Sequence, residues 1–242
     1  MSPKEAISVL FKSCNELKLQ RETWCAAAVY FHRFFEQCSS SIAYDANLIA
    51  ATCLYLASKV EEDKINIRNL IAVYYSTMHK ERGEEKSLDS LQEYLCLKES
   101  IVRCELLVLR MLQFNLNYEK PHKHLRFYLT SLTAWLGKDR QIISRLSHNS
   151  KAFLNDFYRS PRCFHFKINH IAIAVIQFAL ECNQIKVPYD EKARVHWQQA
   201  LCEDITEEII ETIIQELCRV YEIYVDLSKF VESDAYENTH CS

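Results

Sequence analysis

Glycine is nearly missing from this sequence, since 242 residues include only two, Gly83 and Gly137. Average usage in soluble proteins is about 7%. Tight hairpin turns, phosphate-binding loops and nucleophile elbows rely on glycine, because positive φ and close backbone approach are easiest without a Cβ atom. Neither glycine lies in such a context. The composition therefore argues against hairpin-rich sheets, P-loop proteins and α/β hydrolases.

Proline is scarce as well, and its four residues separate long segments with the hydrophobic period of an α-helix. They are Pro3, Pro121, Pro161 and Pro188. Hydrophobic residues make up 49% of the chain, which is enough for a packed core at this length. We therefore predict an all-α protein.

The chain has no excess of positive charge: its net charge is −3 and its pI is about 6.3. No basic stripe is visible, whereas neutralising a phosphate backbone takes clustered lysine and arginine. The sequence also shows no signal peptide and no apolar run long enough to span a bilayer. We expect no direct nucleic-acid partner and no membrane partner.

Eleven cysteines are present, but the number is odd and no CxxC pair occurs. Five of them lie in apolar helical segments, where free cysteine acts as a small buried hydrophobe; these are Cys25, Cys53, Cys104, Cys182 and Cys218. An intracellular, reducing compartment is expected. His122 and His124 face different sides of a helix, and Cys163, His165 and His170 show no convincing ligand pattern. We predict no metal, no cofactor and no catalytic residues.

Hydrophobic periodicity predicts ten helices, with Pro121 marking the start of the second five. Their approximate ranges are 3–19, 21–37, 45–60, 66–78, 91–112, 122–136, 140–158, 169–183, 190–202 and 205–227. We predict a first domain over 1–118, a second over 119–229, and a polar, flexible tail over 230–242.

The two halves look like copies of one unit. Asn47 and Asn169 begin matching segments in which Asn, Ile, Ala and Ala recur at the same spacing. Each segment is the third helix of its half and is apolar nearly all round, which is typical of a central helix. The copies differ at Lys59, whose counterpart is Glu181. A lysine in the last turn suits the helix dipole, but one needed only for that purpose is expected in both copies.

Glu105 shares one face of the predicted fifth helix with three aliphatic residues. These are Ile101, Val108 and Leu112. A carboxylate in such surroundings is costly to bury without a partner, and Lys59 in the same half can supply the charge. Arg103 and Arg110 are the alternative partners, but neither has the favourable i,i+4 spacing.

Three segments resemble the cyclin family, in the form of its transcription-type members. Ala57-Ser-Lys59-Val-Glu61-Glu62 is similar to the cyclin-box signature, Tyr30-Phe31-His32-Arg33-Phe34 to the second cyclin-box helix, and Arg103 to Phe114 to the fifth. The resemblance covers about residues 5–225 and implies a tandem pair of five-helix cyclin-box repeats. It also implies a non-catalytic activating subunit that forms a heterodimer with a cyclin-dependent kinase.

The resemblance assigns kinase binding to the first box. Lys59 and Glu105 match a pair that grips backbone groups near the mobile C-helix of the kinase, and Phe114 matches an aromatic residue that enters a kinase pocket. Glu62 matches an acidic position near the activation loop. The matching apolar contacts are Leu56, Val60 and Leu109. Judged from the residues alone, a core position for Phe114 and a solvated helix-end role for Lys59 remain open.

Further residues match one branch of the transcription-type cyclins. These are Pro121-His-Lys123-His-Leu125, Ser131, Leu132, Trp135, Leu136 and Trp197. The match implies a cyclin-dependent kinase of the PISSLRE type as partner and a nuclear protein, with a cytoplasmic pool left open. His32 departs from cell-cycle cyclins, which carry an aspartate there that pairs with a first-helix arginine. Two other uses of the fold remain open: a DNA-bridging transcription factor of the TFIIB type, against which the acidic pI speaks, and a helical scaffold without a kinase.

Overall fold

The computed structural model describes residues 2–38, 43–84, 86–88, 90–136, 140–187 and 196–224. Within these ranges the chain forms ten helices and no strand, which confirms the all-α prediction. The helices are α1 (Pro3–Glu16), α2 (Arg21–Gln37), α3 (Ala46–Val60), α4 (Ile67–Glu81), α5 (Leu91–Met111), α6 (Pro121–Leu136), α7 (Arg140–Phe157), α8 (Ile168–Cys182), α9 (Trp197–Leu201) and α10 (Glu207–Tyr224). The chain divides into two compact units, Met1–Lys120 and Pro121–Ser242.

The first unit is built around α3, which packs against α1, α2, α4 and α5. Neighbouring helices can approach α3 on all sides because its recurring alanines are small, and Ala50 and Ala57 are fully buried. Asp45 caps the helix, since its carboxylate accepts a hydrogen bond from the backbone N–H of Asn47 at 3.0 Å. The predicted central helix is therefore present.

The second unit repeats this arrangement around α8, which packs against α6, α7 and α10. Every residue from Ile171 to Ile176 is fully buried. The two central helices also end alike, because Glu62 after α3 and Gln184 after α8 have φ values of 57° and 55°. Glu62 and Gln184 have the same sequence separation as Asn47 and Asn169. The repeat therefore extends to the backbone conformation beyond each central helix.

Several helix boundaries differ from the predicted ones. α1 ends at Glu16 rather than near residue 19, because the chain turns at Lys18, whose φ is +54°. α4 continues to Glu81, into the predicted loop over 80–87, and α10 begins at Glu207. Within the described part of the predicted 190–202 helix, α9 covers Trp197–Leu201 and ends one residue early, because Cys202 has extended backbone angles.

Some predicted features lie outside the described residues. They are the break at 39–41, Gly137, Pro188, residues 190–195 and the tail over 230–242. None of the helices in the described ranges combines the length and the apolar character needed to cross a membrane.

The predicted burial of cysteines is wrong at two positions. Cys25, Cys53 and Cys104 are buried, but Cys182 and Cys218 are exposed. Cys182 is the last residue of α8, where the helix leaves the core. An apolar sequence neighbourhood did not decide burial at these positions, because a residue near a helix end or on an outer helix face can remain in solvent.

Candidate protein-binding site

A bidentate ion pair joins the end of α3 to α5. Lys59 Nζ lies 2.7 Å from Oε1 and 2.9 Å from Oε2 of Glu105, and 4.1 Å from the centroid of the Tyr55 ring. The Lys59 side chain is 46% exposed and that of Glu105 is 17% exposed. The lysine thus faces solvent while the carboxylate lies at the edge of the core. The predicted pairing of these two residues is present.

The position of Glu105 follows from the packing of α5 on α3. Ile101 and Val108, which share its face of the helix, are 2% and 0% exposed. The alternative partner Arg103 is instead paired with Glu99 at 2.5 Å, one turn away on the solvent side. Glu105 is therefore directed towards α3, and its cationic partner is Lys59.

The second unit lacks this pair at the equivalent position. Gln177 and Glu181 of α8 correspond to Tyr55 and Lys59 in the repeat. Gln177 Nε2 donates a hydrogen bond to Glu181 Oε1 at 2.5 Å. A neutral donor and an acid thus replace the aromatic ring and the cation, so the surface around Lys59 is a property of the first unit.

α5 also exposes a row of aliphatic side chains on the face beside Glu105. The spacing of these residues places them on one side of the helix. They are Leu91, Leu95, Val102, Leu106 and Leu109, here called the α5 stripe. The exposed fraction is 68% for Leu91, 51% for Leu95, 49% for Val102 and 46% for Leu106, while Leu109 is half-buried. With a rise of about 1.5 Å per residue the stripe is roughly 27 Å long. The exposed Lys98 interrupts it between Leu95 and Val102. Clustered exposed apolar side chains of this kind are typical of an interaction site.

Phe114 lies just beyond the end of α5 and is 62% exposed. The backbone N–H of Phe114 donates to the Leu109 carbonyl at 2.8 Å, and that of Gln113 donates to the Arg110 carbonyl at 3.0 Å. This is a Schellman-type helix end. Gln113 and Phe114 have φ values of 52° and 56°, which cost a residue with a Cβ atom about 1–2 kcal/mol each. The open alternative of a core position for Phe114 is wrong, because the side chain is directed into solvent.

The segment after Phe114 is anchored to α2, which supports this strained turn. The Tyr30 hydroxyl donates to the Leu116 carbonyl at 2.9 Å, and Arg33 donates to the Asn117 carbonyl at 3.1 Å. Burial, together with the nearby Glu61 carboxylate, raises the pKa of Tyr30 to about 12, so the hydroxyl remains a donor at neutral pH. The exposed Phe114 is therefore presented by a fixed backbone.

The three acidic residues after Lys59 have different environments. Glu61 pairs with Lys120 at 2.6 Å, and its side chain is only 8% exposed; the hydrogen bond to Glu61 raises the pKa of Lys120. The Asp63 carboxylate accepts hydrogen bonds from the Gln20 N–H at 2.7 Å and the Thr23 hydroxyl at 2.9 Å. Glu62 is exposed. Of these three residues, Glu62 is thus the one with an exposed carboxylate; its charge also contributes to the raised pKa of Lys120.

The remaining predicted contact residues differ in how much surface they present. Val60 is 39% exposed and Leu109 is half-buried, so both can touch a partner. Leu56 is 4% exposed and belongs mainly to the core. Sequence reasoning missed Val102 and Leu106, although their helical spacing from Leu109 was visible. It could not show that this face of α5 is left uncovered.

Among the acidic residues after Lys59, Asp63 has a structural role that can be tested by substitution. Replacing Asp63 with alanine removes the acceptor for the start of α2, and we expect the free energy of unfolding to fall by about 1–2 kcal/mol. The matched change Glu62→Ala should alter it by less than about 0.5 kcal/mol, because this side chain is exposed. Urea denaturation of the two variants measures both values. Equal stability of the variants would contradict the capping role of Asp63.

His32, where cell-cycle cyclins carry an aspartate, is buried in α2. It is 7% exposed, and its ring lies edge-on to Phe31 with centroids 5.6 Å apart. The position of the cell-cycle aspartate is thus taken here by a buried imidazole ring.

Comparison with known proteins shows which proteins this chain resembles. Residues 4–117 match the family model of the cyclin N-terminal domain. The chain is 30% identical to Cyclin-T1-5 of Arabidopsis thaliana and 30% identical to human Cyclin-L1, over 207 residues in each case, or 85% of this chain. It spans 34% and 37% of the length of these two relatives.

A solved structure shows the same fold. The match is a chain of the crystal structure of the yeast RNA Pol II CTD kinase CTDK-1 complex, with a TM-score of 0.66 and 16% sequence identity. It covers 94% of this chain and 68% of the other. The protein thus has the cyclin-box fold, and its residues 4–117 match the cyclin N-terminal domain. Cyclins of the T and L types are among the proteins to which it is similar.

Proposed function

We propose that this protein is the activating subunit of a cyclin-dependent kinase and binds the kinase through the surface formed by α3 and α5. The observation that carries the proposal is the Lys59–Glu105 pair, which lies beside the exposed α5 stripe and the exposed Phe114. The protein itself performs no catalysis, and its partner is a serine/threonine protein kinase. The cyclin N-terminal domain and the similarity to cyclins T and L support this assignment.

The ion pair retains unused hydrogen-bonding capacity. An ammonium group has three donors and an ionised carboxylate about four acceptor sites, while the pair itself uses two N–H···O contacts. Lys59 can therefore donate to a backbone carbonyl of the kinase, and Glu105 can accept from a backbone N–H. Hydrogen bonds from the pair to one carbonyl and one N–H of the kinase would fix the position of a kinase helix end. The surrounding aliphatic surface would supply affinity.

Activation follows if this surface fits only one state of the kinase. A ligand shifts an equilibrium only by its differential affinity for the two states. In the proposed mechanism the α5 stripe and the Lys59–Glu105 pair contact the kinase C-helix in its inward position, Phe114 occupies an adjoining kinase pocket, and Glu62 faces the activation loop. The outward state cannot make these contacts together, so binding populates the active state.

Within the transcription-type cyclins we place this protein in the cyclin Q (cyclin M) branch, with the PISSLRE-type kinase as partner. The support is the segment Pro121-His-Lys123-His-Leu125 together with Trp135 and Trp197. All of these residues belong to the second unit, where Trp135 is 44% exposed. A nuclear location is part of the proposal, because the similar proteins are transcription-type cyclins.

Co-expression with a small panel of kinases tests the proposal. The panel contains the PISSLRE-type kinase and the kinase partners of cyclins T and L. We expect a one-to-one complex with the PISSLRE-type kinase on gel filtration, and phosphorylation of a serine/threonine peptide only in the presence of this protein. A complex with a different member of the panel would overturn the cyclin Q assignment alone. If no cyclin-dependent kinase binds, the proposed function is wrong, and salt-dependent binding to duplex DNA in the same preparation would favour a TFIIB-like factor.

A further inference from the structure

Three side chains with metal-ligating atoms converge in the second unit: His170, Cys202 and Asp204. The ligand atoms lie within 4.8 Å of one another. His170 Nε2 is 3.2 Å from Asp204 Oδ1, and Cys202 Sγ is 2.9 Å from the same oxygen. His170 and Cys202 are 5% and 9% exposed, whereas Asp204 is exposed. An imidazole, a thiol and a carboxylate thus meet at the border between core and solvent.

These residues are brought together from three places in the chain. His170 lies in the first turn of α8, Cys202 directly follows α9, and Asp204 lies in the turn before α10. An ion held by all three would cross-link the central helix of the unit to the connection between its last two helices. The ion would thus stabilise residues 202–206, which connect α9 to α10 and are not helical.

We propose that His170, Cys202 and Asp204 bind a zinc ion through Nε2, Sγ and Oδ1. With the usual bond lengths and tetrahedral angles, zinc places a nitrogen and an oxygen ligand roughly 3.3–3.5 Å apart and a sulfur and an oxygen ligand roughly 3.5–3.7 Å apart. The distance from Oδ1 to Nε2 is 3.2 Å, close to the first range, whereas the distance from Oδ1 to Sγ is 2.9 Å and must lengthen. Binding of the ion therefore replaces the contact between Sγ and Oδ1 and moves these two atoms apart.

The ligand types select zinc over the other abundant divalent cations. A thiolate and an imidazole are poor ligands for Mg²⁺ and Ca²⁺, which prefer oxygen, and are the common ligands of Zn²⁺. Three protein ligands leave the fourth tetrahedral position to water or to a group from outside the cluster. The exposure of Asp204 places that position on the solvent side.

Charge and proton balance are consistent with binding. The thiol of Cys202 releases one proton as the Zn–S bond forms, so thiolate and carboxylate together neutralise the two charges of the ion. Lys167 Nζ pairs with the other oxygen of Asp204, Oδ2. The ammonium group can thus keep its contact while Oδ1 binds the ion, and it orients the carboxylate from outside.

Sequence reasoning assigned no metal ligand to His170 and passed over Cys202 and Asp204. Zinc motifs are recognised by short spacings such as CxxC or HxxxH, whereas His170 and Cys202 are 32 positions apart in the sequence. Only the fold brings the three side chains together. The inference does not depend on kinase binding, since the cluster lies in α8–α10 and the Lys59–Glu105 pair lies in α3 and α5.

Metal titration of the untagged full chain tests the site. The thiols that are exposed among the described residues are first removed by the changes Cys96→Ser, Cys182→Ser and Cys218→Ser. Competition with a chromophoric chelator is expected to show one zinc ion per chain. Binding should weaken at least about 100-fold in C202S and about 10-fold or more in D204N. Substitution with Co²⁺ should produce a thiolate-to-cobalt charge-transfer band that C202S lacks.

The Glu203→Gln variant provides the control. It removes the charge of an exposed carboxylate that is adjacent in sequence to the cluster but is not a proposed ligand, and it should retain one zinc ion per chain and the cobalt charge-transfer band. Circular dichroism establishes that each variant is folded before titration. Zinc affinity that is the same in C202S as in its parent, or a cobalt spectrum without a thiolate band, would overturn the site and leave a hydrogen-bonded cluster that holds α8 to the turn before α10.

Discussion

The complex between this protein and its proposed kinase partner is expected to weaken by about 100-fold or more when Glu105 is replaced by alanine. Removing one partner of a mostly buried charge pair in an interface costs about 2–5 kcal/mol, and each 1.4 kcal/mol is a factor of ten in Kd. Two effects add in E105A: the kinase backbone loses an acceptor, and the Lys59 ammonium group is left under the interface without its carboxylate. Isothermal titration with the PISSLRE-type kinase measures the change.

The Glu99→Ala variant is the matched control for this prediction. Glu99 also lies on α5 and also forms an ion pair at 2.5 Å, with Arg103, but its side chain is 62% exposed. Surface pairs of this kind contribute about 0–1 kcal/mol, so the Kd of E99A should stay within roughly fivefold of the parent. Denaturation curves separate binding from folding, because E105A should remain folded. Equal losses of affinity in E105A and E99A would contradict the proposed role of Glu105.

Replacing Phe114 with alanine is expected to weaken kinase binding by about 30-fold or more and to reduce kinase activation accordingly. An aromatic side chain that fills a partner pocket commonly contributes 2 kcal/mol or more. Because Phe114 is 62% exposed in the isolated protein, its removal should change the free energy of unfolding by less than about 0.5 kcal/mol. Kd and the rate of peptide phosphorylation are measured together.

Phe127 supplies a control of the same residue type and nearly the same exposure. It is 64% exposed and lies on α6 in the second unit. Phe127→Ala should leave both Kd and activation unchanged, because loss of exposed aromatic surface alone has no effect on a site elsewhere. If F114A bound the kinase as tightly as F127A, Phe114 would not be a contact residue.

The central features of the fold could be predicted from sequence because each depends on local spacing. The apolar segments that begin at Asn47 and Asn169 are hydrophobic nearly all round, and such helices occupy the centre of a helical unit. Both became central helices, α3 and α8. The ends of the helices were harder to predict. For example, α1 stops before a left-handed turn at Lys18, where the sequence has no glycine to indicate such a turn.

The candidate site was only partly readable from the sequence. The pairing of Lys59 with Glu105 could be inferred, because a carboxylate among aliphatic residues needs a partner. Which of the acidic residues after Lys59 remains free could not be inferred, since adjacent carboxylates are equivalent in a sequence. Packing separates them: Glu61 reaches Lys120, Asp63 reaches the start of α2, and Glu62 stays in solvent.

By itself the sequence determined that this protein is helical, that its two halves repeat one unit, and that Lys59 belongs to the first unit alone. These properties follow from the composition and from the pattern of residues within single helices. They can be identified without knowing how the helices pack. The tertiary structure decided which surfaces stay uncovered: it buried Leu56, exposed Phe114 and the α5 stripe, and joined His170 to Cys202 and Asp204. Burial and long-range contact depend on how whole helices pack against each other, and no local pattern carries that information.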